Sequence, residues 1–334
     1  MPNQPKVSII IPFKDMSSIV KRCITSCQEL NYSNYNIILI PDAPLKEKFK
    51  KTKVMVSGPV YPSEKRNMAA KEADAEICAF IDSDAYPVSK DWIKKAIPFF
   101  NDKTIGAVGG PNFVPKDASL LEQASADTIY SKLCAGGNYP IRKYRVKGTY
   151  EYREIASSNL FVRKELFKKI GGFDPYQLTS EDSKLCFMIN KHKKKVVFVP
   201  DVAVYHQRRR LFWPHTERVF IEGRNKAFVF KDIFSFDKLF YFFPSLFVLG
   251  LIVGFFLSFL SEIIKLIYLS IIFIYLIIVL TESLKFKLSK RALYVFFGII
   301  LTHISYGSGF IKGLFINKYN LKKTEQLKNI KEQK

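Results

Sequence analysis

Sulfur and imidazole are scarce: the 334 residues include five cysteines and four histidines, and no Cys-x-x-Cys pair occurs. A disulfide-stapled miniprotein is excluded, and nothing has zinc-finger spacing. Cys23 and Cys27 can share a helix face, and the cysteines read as reduced thiols packed in a cytosolic domain. Glycine and proline, at 16 each, are too few for a collagen or a low-complexity chain. No leader is evident, because the apolar run Val7 to Phe13 is short and closes at Lys14-Asp15. Acidic charge is also short, 30 groups against 52 basic ones, for a net +22.

Hydrophobic side chains are plentiful at 48%, which excludes a disordered protein. With 15% aromatics and a mean hydropathy of +0.01, the chain is too apolar for a simple nucleic-acid binder. The apolar residues are unevenly spread. Leu239 to Leu260 carries no charge, Ile263 to Thr281 only Lys265, and Ala292 to Ile311 none. A bilayer core takes about 20 apolar residues as helix, so the first two stretches read as transmembrane helices joined at Ser261-Glu262. The third is softer, with His303, Ser305, Tyr306 and three glycines, and reads as a span or as an interfacial or re-entrant helix.

The positive charge clusters around these stretches. Residues 191–231 and 282–334 each hold 11 basic and 3 acidic groups, as cytoplasmic flanks of membrane spans do. With the first 230 or so residues in the cytosol, two spans bring the chain back at Lys285, Lys287, Lys290 and Arg291. A third would carry Lys318, Lys322, Lys323 and Lys328 to the other side, against that rule. Phe212 to Phe234 mixes Trp213, Phe220, Phe228 and Phe230 with Arg218, Arg224 and Lys226, and reads as one or two amphipathic interfacial helices. RNA binding is the poorer account of that mixture, because apolar spans follow at once; no nucleic-acid partner is expected.

The N-terminal part alternates strand and helix. Val7 to Pro12, Asn36 to Ile40, Lys53 to Ser57 and Glu76 to Ile81 read as buried strands, and residues 16–30 and 63–73 as helices, the second with Ser63 as N-cap. This pattern predicts an α/β fold with a mostly parallel sheet, whose ligands bind beyond the carboxyl ends of the strands. Those ends carry Asp15, Asp42 and Asp82-Ser83-Asp84, and no G-x-G-x-x-G follows the first strand. A phosphate ligand here needs another source of positive charge, and two carboxylates one residue apart can share a hard divalent cation. An isolated Asp-x-Asp is commonly just an acidic turn, but here a buried strand aims at it and Glu64-Lys65-Arg66-Asn67 opens the preceding helix.

Val7-Ser8-Ile9-Ile10-Ile11-Pro12, Lys65-Arg66-Asn67, Ala79-Phe80-Ile81-Asp82-Ser83-Asp84, Gly171-Gly172-Phe173-Asp174 and Ser180-Glu181-Asp182 occur in order over residues 5–210. Together they resemble family 2 glycosyltransferases, and with the C-terminal apolar block a membrane-attached prokaryotic subgroup. The resemblance implies a GT-A, Rossmann-like domain that uses a nucleotide-sugar donor with Mg²⁺ or Mn²⁺. It also implies residue roles. Pro12 and the turn to Asp15 border the nucleotide. Asp42 matches the base contact, although Pro41-Asp42-Ala43-Pro44 lacks the family's first acid, Gly and Ser, which leaves the base open. Arg66 faces the nucleotide; Asp82 meets ribose and metal beside Ser83; Asp84 is the principal metal ligand. His206 is a further donor contact, on metal or diphosphate, and Asp182 matches the general base. The alternative for Glu181 and Asp182 is that they only complement a helix dipole under a Ser180 cap. Arg208, Arg209 and Arg210 beside His206 read equally as diphosphate contacts or a lipid anchor. Acceptor contacts are expected within 111–160, at Gly136-Gly137, Ser158 and Asn159, and at Glu181.

The resulting organisation is a cytosolic transferase domain over 1–211, interfacial helices over 212–238, two or three transmembrane helices over 239–316 and a basic tail over 317–334. The expected activity is inverting transfer to a lipid-linked or envelope-glycan acceptor at the inner membrane, in contact with membrane lipids. Other readings are a polyprenyl-phosphate glycosyltransferase, a haloacid-dehalogenase-like phosphatase built on Ile77 to Asp84, and a non-catalytic membrane scaffold.

Overall fold

The computed structural model describes residues 4–135, 150–151, 154–234, 236–286 and 289–332. Two compact units emerge, the first from Met1–Pro115, Tyr144–Gln207 and Lys318–Lys334, the second from Lys116–Lys143 and Arg208–Asn317.

The first unit is built on the apolar runs seen in the sequence. Its strands are β1 (Val7–Pro12), β2 (Tyr35–Ile40), β3 (Thr52–Val54), β4 (Ile77–Ile81), β5 (Ala85–Pro87), β6 (Ile105–Gly109), β7 (Asn112–Phe113), β8 (Tyr150–Glu151), β9 (Asn159–Arg163), β10 (Lys195–Phe198) and β11 (Val204–His206). Eight form one sheet in the order β3-β2-β1-β4-β9-β6-β10-β8. The strands from β3 to β4 run parallel, as do β6 and β10; β9 is antiparallel to β4 and β6, and β8 is an antiparallel edge. Every residue of β1, β4 and β6 is buried, so both faces of the sheet are covered, as expected of an α/β fold. The remaining strands form a small sheet, β5-β11-β7.

Two motifs turn out to be structural partners. The glycines of Gly171-Gly172-Phe173-Asp174 take left-handed φ of +84° and +72° and close the helix Lys164–Lys169, a conformation that favours glycine. A Cβ at Gly172 would run into Asn67 Oδ1 and the Phe167 ring. Phe173 then packs edge-on against Phe80 and Phe167, with centroids 5.0 and 5.3 Å away. Asn67 clamps that turn, its Nδ2 donating to Phe173 O at 2.8 Å and its Oδ1 accepting from Phe173 N at 2.9 Å.

Some sequence boundaries shift. The third strand is Thr52–Val54, not Lys53 to Ser57. The second helix is Pro62–Glu72 with Tyr61 at its cap position. Ser63 is therefore inside the first turn, and its hydroxyl donates to Gln177 O at 3.1 Å instead of capping. Ser180 does occupy the cap position of the helix Glu181–Lys191, but in a left-handed conformation and without a side-chain cap bond. None of the cysteines forms a disulfide, and Cys23, Cys27, Cys78 and Cys186 are buried.

The second unit is helical. Phe212 to Phe234 is spanned by one helix, Trp213–Asp232. Among the described residues three helices are long and apolar enough to cross a membrane, Lys238–Leu257, Glu262–Phe286 and Lys290–Phe315. The first two leave large side chains such as Phe256, Ile263, Leu266 and Phe273 exposed, a surface that calls for lipid rather than water.

Candidate active site

The carboxyl ends of β1, β2 and β4 lie side by side, and the acids predicted there are brought together with groups from distant parts of the chain. After β4 a tight turn, closed by Ala85 N donating to Asp82 O at 2.9 Å, presents Asp82 and Asp84. Strand β11 pairs antiparallel with β5, which sets His206 opposite Ala85, and Gln207 N donates to Asp84 O at 2.9 Å. The small sheet thereby delivers His206 Nε2 to within 3.2 Å of Asp84 Oδ1 and 4.0 Å of Asp82 Oδ2. One ligand atom from each of the three residues fits within a 4.8 Å cluster. Two hard carboxylate oxygens and one imidazole nitrogen suit Mg²⁺ or Mn²⁺, with coordination positions to spare for substrate oxygens.

Arg66 lies at the centre of the arrangement, yet not as an open nucleotide contact. Its side chain is 3% exposed, donates to Glu181 Oε1 at 2.7 Å and bonds Asp82 Oδ1 with the other terminal nitrogen. Burial works against the charge, but Asp82, Glu181 and Asp182 outweigh it and hold the guanidinium pKa above its ordinary value. Glu181, expected to meet the acceptor, is likewise buried and also accepts from Ser157 Oγ at 3.2 Å. Asp182 next to it is half-buried at the first turn of its helix, and its Oδ2 accepts from Ser157 N at 3.2 Å.

The second corner belongs to Lys65, which the sequence reading left without a role. It donates to Phe13 O at 2.5 Å and pairs with Asp42, tying the turns after β1 and β2 together. Its signal was present: Lys65, Arg66, Ala69 and Ala70 recur at helical spacing on the buried face of Pro62–Glu72. Pro12 is buried at the end of β1, Asp15 is exposed in the following turn, and Ser83 is half-buried between the two metal-side acids.

Two residues expected to contact the acceptor are buried within the fold. Asn159 is fully buried, with Oδ1 accepting from Trp92 Nε1 at 3.0 Å and Nδ2 donating to Val202 O at 2.7 Å. Its amide is spent inside the fold and braces the sheet. Ser158 is 2% exposed, and its hydroxyl accepts from Asn112 Nδ2 at 2.8 Å. Gly136-Gly137 lies outside the described residues. His192, a helix end in sequence, is the C-cap of Glu181–Lys191, with Nδ1 2.9 Å from Met188 O.

Beside the site, Asp174 receives Lys184 at 2.7 Å and Lys318 at 2.8 Å. Burial alone would raise its pKa, but these lysines and the Tyr176 amide bring it below the usual carboxylate value.

Comparison with known proteins agrees with this geometry. The sequence family described as "Glycosyltransferase like family 2" matches residues 5–220. An O-antigen biosynthesis protein of Myxococcus xanthus is 24% identical over 224 residues, 60% of this chain and 17% of that protein. An O-antigen chain rhamnosyltransferase of Salmonella typhimurium is 27% identical over 160 residues, 47% of this chain and 50% of that one. The chain thus spans half or less of the length of these two relatives. A mannosyltransferase from Pyrobaculum calidifontis, solved in complex with GDP-Man and Mn²⁺, superposes with a TM-score of 0.59 at 15% identity, covering 94% of this chain and 88% of that one. At such identity the likeness concerns the GT-A fold.

Proposed function

The chain belongs to glycosyltransferase family 2, and from that premise we propose that it transfers a sugar from a nucleotide-sugar donor to a glycan hydroxyl at the membrane face, with inversion at the anomeric carbon. The observation that carries this reading is the convergence of Asp82, Asp84 and His206 at one strand end, with Asp182 linked to them through Arg66 and Glu181. Asp82, Asp84 and His206 would hold Mg²⁺ or Mn²⁺, which supplies positive charge for a departing diphosphate. Pro12, Asp15, Asp42 and Ser83 border the donor. Lys65 orients Asp42 toward the base, and Arg66 acts as a positioning residue that fixes Asp82 and, through Glu181, the start of the helix carrying Asp182.

Asp182 serves as general base. Its carboxylate takes the proton of the acceptor hydroxyl as that oxygen bonds to the anomeric carbon, while the bond to the diphosphate breaks on the opposite face. A phosphate acceptor is already anionic and needs no such base, so a hydroxyl acceptor fits better than a polyprenyl phosphate. Of the expected transferase domain over 1–211, Lys116–Lys143 and the residues from Arg208 belong to the helical unit, and we add the C-terminal helix to the sheet unit as part of the transferase domain. Nucleotide sugars are cytoplasmic, so this domain faces the cytosol of a cell whose inner membrane holds the helical region, and the acceptor is lipid-linked or part of the envelope.

The test is release of nucleoside diphosphate from a panel of nucleotide sugars by detergent-purified protein with Mn²⁺. Turnover lost in both Asp84→Ala and Asp182→Asn supports the assignment. Release of phosphate from simple phosphoesters would replace it with a phosphatase.

A further inference from the structure

Among the described residues three helices are long and apolar enough to span a bilayer, but three crossings are incompatible with where the helix after them packs. Residues Tyr144–Gln207 and residues from Lys318 onward belong to one compact unit. The last helix, Lys318–Glu332, is fixed there by Lys318 Nζ on Asp174 at 2.8 Å, Lys322 Nζ on Glu64 at 2.8 Å, the Tyr61 hydroxyl bonding Glu325, and Tyr176 against Tyr319 with centroids 4.5 Å apart. Lys318 and Asp174 are both buried, so this is integral packing and not a loose tail. A folded unit lies on one side of a membrane, and the chain that leaves and rejoins it must cross an even number of times.

We propose that the chain crosses twice, as a hairpin of Lys238–Leu257 and Glu262–Phe286, and that Lys290–Phe315 never crosses but lies on the membrane face from which the hairpin enters. This topology holds whatever the sheet unit catalyses.

A second set of contacts, all within the helical unit, leads to the same conclusion. Lys290–Phe315 lies against the helix Trp213–Asp232 with backbones nearly touching. A Cβ at Gly223 would strike Tyr306 O, one at Gly309 would strike Phe220 O and one at Gly313 would strike Arg224 O. That neighbour carries Glu217, Arg218, Glu222, Arg224, Lys226, Lys231 and Asp232, a charge load that keeps a helix out of hydrocarbon. Helices so closely apposed share one depth. Polar contacts continue along the length of Lys290–Phe315: Arg291 on Asp127 at 2.5 Å, His215 Nε2 on Thr302 Oγ1 at 2.8 Å, and Lys231 Nζ on Gly313 O at 2.9 Å. The hairpin helices bury far less of themselves against protein.

What Lys290–Phe315 leaves exposed suits a lipid surface. Leu293, Phe297 and Ile304 form an open apolar face, bounded by Lys290 and Lys312. Two crossings also satisfy the charge rule. The hairpin turn, residues 258–261, has no Lys or Arg, while Lys285, Lys290, Arg291, Lys318, Lys322 and Lys323 all return to the side of the sheet unit.

The experiment uses the full chain in spheroplasts of a bacterial host, with an epitope tag after Lys334 and, in a second variant, Leu260→Cys at the exposed hairpin turn. A membrane-impermeant maleimide should label Leu260→Cys in intact spheroplasts above the wild-type background, whereas antibody should reach the C-terminal tag only after permeabilisation. Access to the tag in intact spheroplasts would mean three crossings and overturn the proposal, and so would a turn that labels only after permeabilisation. A single monodisperse peak of each detergent-purified variant on size exclusion shows that it is folded, and diphosphate release, measured separately, leaves the topology result unaffected whether present or absent.

Discussion

The guanidinium of Arg66 donates to Oε1 of Glu181 across 2.7 Å, and both side chains are buried. The same guanidinium bonds Asp82, so one side chain joins the acid turn after β4 to the first turn of the helix that carries Asp182. Glu181 and Asp182 are successive residues with opposite duties: one faces inward to a cation, which leaves the other half-exposed.

Removing Arg66 strands two carboxylates, one of them buried. Arg66→Ala should destabilise the sheet unit by about 3–5 kcal/mol, the range for breaking a buried ion pair from one side. The double variant Arg66→Met/Glu181→Gln should recover part of that loss, because no buried charge is left alone. Thermal unfolding of both variants checks this.

Asp182→Asn keeps the shape, can accept from only one of the two backbone amides, Ser157 N and Ser183 N, that the carboxylate accepts from, and cannot take a proton. It should lower kcat by about 10²–10⁴-fold, the usual contribution of general base catalysis, with donor affinity unchanged. Single-turnover kinetics alongside donor titration separate the two quantities.

His206 is held opposite Ala85 and 3.2 Å from Asp84. If it is a ligand, His206→Ala should weaken Mn²⁺ binding by at least about 10-fold, since even outer-shell partners of a metal site typically cost that much. Calorimetric titration of Mn²⁺ into the purified protein, without any sugar donor, reads this directly.

His215 is buried between Ser125 Oγ, 2.9 Å from its Nδ1, and Thr302 Oγ1, 2.8 Å from its Nε2. Its pKa falls to about 4, chiefly through burial, with Glu222 opposing the shift and Arg208 adding to it. Between its unfolded value of about 6.5 and that folded value, the unfolded chain binds the extra proton, so stability is intact above pH 6.5 and falls as the pH drops toward 4. The loss should reach about 2 kcal/mol at pH 5. Melting temperatures from pH 7 to 4 should drop less steeply in His215→Gln, relative to its own value at pH 7.

The legible parts of the chain were those in which local pattern and burial coincide. The strands β1, β2 and β4 are continuous apolar runs, and the acids that end them are where the sequence put them. The helix that carries Asp182 begins where Ser180-Glu181-Asp182 announces a helix start. What escaped depends on pairings between distant segments. Nothing near residue 206 encodes that β11 will lie against β5, so His206 entered only through the resemblance, and nothing near Asn159 says that its amide faces Trp92 and Val202. Arg66 was recognised by its motif but assigned outward, because a motif does not reveal which way a guanidinium turns. The terminal lysines read only as a basic tail because Asp174 and Glu64, their partners, are far away in sequence.

The short strand pairing that brings His206 to Asp84 has a thermodynamic side. Any cation bound by these two residues would be a clasp across roughly 120 residues of chain, closing a loop that the unfolded polypeptide leaves open. Ion concentration and unfolding temperature then become two readings of one equilibrium: each increment of occupancy withdraws unfolded chains from the population, by a margin that grows with the logarithm of free ion. Resistance to unfolding would report donor-site readiness with no sugar present.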